Sequence, residues 1–341
     1  MKSLISLLSG LAITALALTY ALWDINFQTL SNLLYEANYW FLIPFLSLLT
    51  LYFWAKALRW AVILRPLGRF TTTQVTPAMM IGFGGNNILP AHLGEVLRTV
   101  VFARQFRKPY SGVFTSLIME RMLDIVAILG LYFVAVLLIG ESSEALRIAA
   151  WAALCAVAVA CFGIFLSLWK PDALLSLWRR CSEWLPYHLQ ERGERMLRNI
   201  VLALSAVRSP GALLLQLGYS VLQWGLMAAE VWIAMWALGD PISASVALIT
   251  LAVITLAVTV PSAPGYVGSI QAAFVFALVP FGVTQEAALA GSVFFLVAQW
   301  IPVTTIGALF FFFTGLGTSE VRRDVEGMKH AVEINYGSSE K

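Results

Sequence analysis

Charge is what this chain has little of. Only 12% of its 341 residues are Asp, Glu, Lys or Arg, about half the share of an ordinary soluble domain. Histidine and cysteine are scarcer still, 3 of each. No group of them has metal-ligand spacing, no nucleophile elbow is present, and no Gly-rich phosphate loop ends in a lysine. Enzymatic chemistry, ATP hydrolysis included, is therefore not expected, and neither is a metal or other cofactor. A net charge of +3 gives nucleic acid no reason to bind. Cys155 and Cys161 share one apolar segment and Cys181 lies in a basic one. Each reads as a small hydrophobe without a disulfide partner.

What is there is apolar length. Hydrophobic residues make up 60% of the chain and the mean hydropathy is +0.80. Continuous runs near 20 residues exclude the alternating pattern of a membrane β-barrel and predict an all-α polytopic membrane protein. Full spans are expected at about 4–23, 39–64, 112–139, 146–169, 211–238 and 286–315. Lys2 followed by Leu4 to Leu22, with Ala15-Leu16-Ala17 as a passable cleavage site, resembles a signal peptide. The run is as long as a bilayer requires and reads as an uncleaved first span.

Two further apolar stretches, 70–104 and 242–281, are interrupted midway. Gly82, Gly84, Gly85 and Pro90 break the first; Pro261, Pro264, Gly265 and Gly268 break the second. Irregular backbone at membrane depth survives only where protein or a water-filled cavity satisfies it, and broken helices are where transporters hold substrate. The positive-inside rule favours both as re-entrant hairpins. Every Lys and Arg except Arg121 and Arg147 then falls at the cytoplasmic side, and both termini are cytoplasmic. Three crossings per half make the halves oppositely oriented, an inverted-topology repeat. The division is 1–140 for the first half, 141–169 for the first span of the second, 170–209 for a cytoplasmic amphipathic segment, 210–317 for the rest of the second half, and 318–341 for a cytoplasmic tail. Within 170–209, apolar positions recur at helical spacing opposite Arg192, Arg195 and Arg198, with Pro186 between one helix and the next.

Charge inside a span costs roughly 2.5–3.5 kcal/mol per residue on insertion scales, so the few intramembrane charges are functional candidates. The stretch from Asn87 to Arg98 places an amide, Pro90, His92, Gly94, Glu95 and Arg98 in an otherwise apolar setting. Glu95 and Arg98, three apart, face one way; they pair with each other or present a carboxylate and a forked guanidinium to a phosphate headgroup. Glu120 and Asp124 share a helix face beside Arg121, and two such carboxylates need a cation, for which Arg98 and Arg121 are the candidates. The resulting network is either a gate or a static pin. Pro264, Gly265, Gly268 and Gln271 offer main-chain and amide groups at the second break. Gln216, Gln223 and Glu230, seven apart, form a stripe facing the bundle interior.

Three motifs carry a resemblance: Asn87-x-x-Pro90-x-x-x-Gly94-Glu95-x-x-Arg98, then Ser116-x-x-x-Glu120-Arg121-x-x-Asp124, then Pro261-x-x-Pro264-Gly265-x-x-Gly268. In that order they resemble the flippase-like family named after the transmembrane region of lysylphosphatidylglycerol synthase. The resemblance implies a bacterial or archaeal inner-membrane protein whose motifs line the path of a modified lipid. Members often have Pro-Gly-Gly-x-Gly and a following glutamate where this chain has Tyr266 and Gln271. The sequence shows no aminoacyl-transfer domain, so synthesis of the lipid is not implied. The leading expectation is a translocator of an amphiphilic lipid, its partners being membrane lipids and a lipid-modifying enzyme. A proton-coupled carrier of a soluble solute, or a non-transporting partner of such an enzyme, are the alternatives.

Overall fold

Residues 2–89, 93–139, 144–204, 210–259 and 263–314 are described by the computed structural model, and every regular element among them is a helix. In order these are α1 (Lys2–Ala21), α2 (Phe27–Glu36), α3 (Leu42–Ile63), α4 (Thr72–Ile88), α5 (Leu93–Gln105), α6 (Tyr110–Ile139) and α7 (Glu144–Trp169). They continue with α8 (Pro171–Cys181), α9 (Tyr187–Leu204), α10 (Pro210–Ala237), α11 (Ala244–Thr259), α12 (Ser269–Leu278) and α13 (Gln285–Phe313). The chain is an all-α polytopic membrane protein. Tyr39–Ile63, Tyr110–Ile139, Gly211–Ala237, Pro264–Phe281 and Gln285–Phe313 are each long and apolar enough to cross a bilayer.

Both interrupted stretches fold as two helices meeting at a break. The first is α4 and α5. The second is α11 and α12, joined through a turn in which Gly265 has φ 74° and Tyr266 φ 59°. At ten residues α12 is about 15 Å long, half of a hydrocarbon core, although the apolar stretch containing it is longer. The halves pack reciprocally. Helix α4 lies against α13 and α11 against α6, while α3 lies against α10. The flanking helices depart from this reciprocity, since α1 packs on α12 but α7 packs on α6, α8 and α9. One large apolar core gathers around Trp60, Met79, Phe102 and Met119, and a second around Phe45, Val231, Phe274 and Phe295.

One expectation about the first break is corrected. Gly82, Gly84 and Gly85 do not interrupt the helix; α4 runs through all three to Ile88. Their job is close packing. A Cβ on Gly82 would stand 2.6 Å from the Cβ of Arg98, and one on Gly84 would stand 3.2 Å from the Cα of Gly307 in α13. Small residues let membrane helices approach to backbone contact, so α4 is held between α5 and α13. The break follows Leu89, and Pro90 and His92 lie outside the described residues, as does Pro261.

The segment between the halves forms two amphipathic helices as expected, with Pro186 between α8 and α9. Trp178 lies over Gly193 and donates from Nε1 to the Gln190 carbonyl at 3.0 Å. Arg179 forks onto Glu194 at 3.0 and 2.7 Å, and Arg198 reaches the same carboxylate at 2.7 Å. These two guanidiniums hold the Glu194 carboxyl at about 2, well below the usual carboxylate range. Cys155, Cys161 and Cys181 are exposed and unpaired.

Candidate functional site

The intramembrane charges fall into two groups. The first is a closed cluster. Helix α3 supplies Lys56 and Arg59, three apart on one face; α6 supplies Glu120 and Asp124, four apart; α5 supplies Arg98. Lys56 Nζ lies 2.6 Å from Glu120 and 3.7 Å from Asp124, and Arg98 lies 3.1 Å from Glu120. Arg59 meets Asp124 at 2.5 Å and donates to the Glu120 carbonyl at 3.0 Å and to Gln223 at 3.2 Å. Ser220 is 3.3 Å from Asp124. The Arg98 guanidinium stacks on Trp60, 3.7 Å from the ring centroid. None of the five ionised residues is more than 5% exposed. Each carboxylate is shared between two cations, which removes the repulsion expected of two acids on one helix face.

Of the expected cations, Arg98 is present in this cluster and Arg121 is not. Lys56 and Arg59 take its place. Both had been assigned to the cytoplasmic rim by the positive-inside reading. They stand instead within the apolar run 39–64, and that position was the signal available to find them.

The second group is open. A cavity of about 470 Å³ lies where the two halves meet, walled by Leu49, Tyr52, Phe53 and Phe83 on one side and by Leu251, Ile254, Val258, Ile270 and Phe295 on the other. Its polar lining comes from Asn86, Asn87, Glu95, Arg121, Thr255, Thr259, Tyr266, Gln299 and Trp300. Glu95 and Arg121 form an ion pair here, with side chains 27% and 51% exposed. The alternative in which Glu95 pairs with Arg98 is thus corrected. One turn of α5 sends Arg98 into the closed cluster, while Glu95 reaches across to α6 on the open side. Arg121, next to Glu120 in sequence, points about 100° round the helix from it and so belongs to the cavity.

The two breaks touch each other at this cavity. Asn87 donates from Nδ2 to the Thr304 hydroxyl at 2.9 Å and accepts at its carbonyl from Trp300 Nε1 at 3.4 Å. A Cβ on Gly265 would meet that Asn87 carbonyl at 3.3 Å and the Trp300 indole at 2.9 Å, so only glycine fits this contact. Tyr266 follows it and faces the cavity from a left-handed backbone conformation that is uncommon for a side chain of its bulk.

The remaining candidates have local duties. Gly94 packs into α4, where a Cβ would stand 2.5 Å from the Asn86 backbone nitrogen. Gln271 turns back to accept from the Gly268 N–H at 2.7 Å, which caps α12. Gly268 adopts φ 87° against Thr14 of α1. Pro264 opens the turn before Gly265. Gln216, Gln223 and Glu230 are all buried, as the seven-residue stripe requires. The stripe serves two places, however. Gln223 belongs to the closed cluster, and Glu230 accepts from Gln299 at 2.5 Å behind the cavity wall. Sequence reasoning missed Gln299 and Trp300, single polar positions in a long apolar helix with no neighbouring motif. Among the described residues no group of His, Cys, Asp and Glu is placed to hold a metal ion.

The profile of the family described as the lysylphosphatidylglycerol synthase TM region matches residues 7–307, nearly the whole chain. This chain belongs to that family. A curated relative, "Glycosyltransferase AglD" of Haloferax volcanii, is 30% identical over 129 residues. The match covers 37% of this chain and 20% of the relative, so the chain spans only a fifth of that protein's length. No solved structure matches.

Proposed function

We propose that this family member moves an amphiphilic lipid with a polar or modified headgroup across the membrane in which it is embedded. The observation that carries the reading is the open ion pair. Glu95 and Arg121 stand in a cavity of about 470 Å³ whose other walls are mostly apolar and aromatic, with uncharged polar groups such as Asn86, Asn87, Thr255 and Gln299 among them. That volume is in the range of small-ligand sites. A headgroup fits such a space while its acyl chains remain in the bilayer. Arg121 supplies a guanidinium fork for a phosphate, and Glu95 holds the fork in place when no headgroup is bound. Placement of the cavity between two broken helices follows the logic of transporters, in which irregular backbone lines the path of substrate. Membership of a family named for a lipid synthase membrane region supports a lipid rather than a soluble solute. The membrane concerned is proposed to be the bacterial inner membrane, with both termini in the cytoplasm.

Purified protein reconstituted into vesicles carrying an acyl-labelled phospholipid tests this. Wild type should scramble or transport the labelled lipid, and Arg121→Gln should lose most of that activity while eluting as folded protein. Equal activity in empty vesicles and in those holding wild type would sink the proposal. An Arg121→Gln protein as active as wild type would move the site elsewhere.

A further inference from the structure

Glu230 is a charge-bearing residue that the closed cluster and the open pair both leave out. It is fully buried in α10, its Oε2 accepts from Gln299 Nε2 at 2.5 Å, and its Oε1 has no hydrogen-bond partner among the described residues. It makes no ion pair among them. The helices packed against α10 are α3, α6, α11 and α13, together with the turn at 39–41. From α3, Lys56 and Arg59 are committed to Glu120 and Asp124, and Tyr52 lines the cavity. From α6, Arg121 is held by Glu95, and Tyr132 lies beyond it along the helix. Helix α11 carries no titratable side chain. Glu286 of α13 is bonded to the Asn26 N–H, and Tyr39 donates to the Leu34 carbonyl. Tyr219, on α10 itself, is eleven positions away. The partner Glu230 does have is an uncharged amide.

A carboxylate in a membrane interior with one hydrogen bond and no cation is strongly disfavoured over the neutral acid, and such residues in transporters mark proton paths. Gln299 gives this one a route to the substrate, because the same amide lines the cavity. A primary amide has a donor end and an acceptor end. Toward a carboxylate it must turn its NH₂; toward a carboxylic acid O–H it can turn its oxygen. Protonation of Glu230 therefore frees the donor end of Gln299, and deprotonation recaptures it. A phosphate headgroup is an acceptor and is held better by the donor end.

The geometry points to Glu230 as a proton-carrying site that couples an anionic lipid headgroup in the cavity to one proton, with Gln299 as the positioning residue between them. This rests on the lipid reading above and names its headgroup class. One proton binds Glu230 as the phosphate monoanion enters, and both leave on the opposite side, so the step moves no net charge. At equilibrium a coupled 1:1 step distributes the lipid up to about tenfold per unit of pH gradient.

The test uses the full chain in vesicles of zwitterionic phospholipid, with acyl-labelled phosphatidylglycerol as the anionic probe. Leaflet asymmetry is read under an imposed pH gradient and, separately, under an imposed membrane potential. Wild type should build asymmetry with the pH gradient and ignore the potential. Glu230→Gln, which mimics the neutral acid, should still move the probe but ignore the pH gradient and respond to the potential. If Glu230→Gln does not fold, Gln299→Leu should show the same loss of pH response. Infrared difference spectra give an independent reading, since a protonated-carboxyl carbonyl band in wild type should be missing from Glu230→Gln. Probe movement that ignores the pH gradient in wild type, or a variant whose pH response equals wild type, overturns the coupling and leaves the lipid reading intact. No movement of any labelled lipid by wild type would remove the lipid reading itself.

Discussion

The closed cluster and the open pair use the same side chains to opposite ends. In the cluster, Lys56, Arg59, Arg98, Glu120 and Asp124 are packed out of contact with the cavity, and almost every charged atom has a partner. At the pair, Arg121 is half exposed and has one carboxylate for company. The cluster ties α3, α5, α6 and α10 together and each of its carboxylates is taken by two cations, while the Nε atoms of Arg59 and Arg98 are buried without a partner among the described residues. The pair can let go of itself. A charge in a membrane helix is therefore evidence of expense, and how completely it is satisfied decides whether it pins or binds.

The largest expected effect comes from breaking the cluster. Arg59→Leu leaves the buried Asp124 with Lys56 at 3.7 Å as its one cation, and Asp124→Asn leaves the buried Arg59 with only uncharged partners, Gln223 and the Glu120 carbonyl. Each should lower stability by about 3–5 kcal/mol, read from unfolding in detergent, because removing one member of a buried pair strands the other. A loss under about 1 kcal/mol would show that the cluster is hydrated and not a pin. Next comes the packing that brings α5 to α4. Gly94→Ala forces a methyl against the Asn86 backbone and should cost about 1–3 kcal/mol in the same measurement. If it abolishes transport without a stability change, Gly94 contacts substrate directly.

Arg121→Gln removes an exposed pair and should change stability by less than about 1 kcal/mol while reducing transport. That contrast with Arg59→Leu is the sharpest form of the comparison. The smallest effect lies outside the membrane. Glu194 is held at about 2 by Arg179 and Arg198. Its folded value is depressed, so its contribution is present above the ordinary carboxylate range and is lost as pH falls from there through about 2. Hydrogen-exchange protection factors over 171–204 should thus stay flat from neutral pH to about pH 4 and fall below it. A fall in protection beginning near neutral pH would show that this link does not hold α8 to α9.

Much of the architecture was legible. Apolar runs gave the helices, Pro186 divided the amphipathic segment, and both interrupted stretches became helix pairs. The glycines misled because a membrane helix uses them for contact with its neighbours, and Gly84 against Gly307 is a tertiary fact that no local pattern contains. At the site, the motifs brought Glu95, Arg98, Glu120, Arg121 and Asp124 into one neighbourhood and offered Arg98 to the α6 carboxylates, where it stands, but did not give Arg121 to Glu95. Spacing along one helix cannot say which helix stands opposite. Lys56 and Arg59 were hidden by a rule about loops, although their own span flagged them. Tyr266 stood out in sequence as a departure from a glycine, and its φ of 59° is the backbone reason glycine suits that position.

The central claim is that the open pair, and not the closed cluster, touches the lipid. Native mass spectrometry of wild type, Arg121→Gln and Arg98→Lys, each checked for folding, tests it most directly through the lipids that co-purify. Arg121→Gln should lose a bound anionic or modified lipid that wild type retains, while folded Arg98→Lys keeps it. Retention of that lipid by Arg121→Gln, with its loss from folded Arg98→Lys, would contradict the claim and place the headgroup among the buried charges.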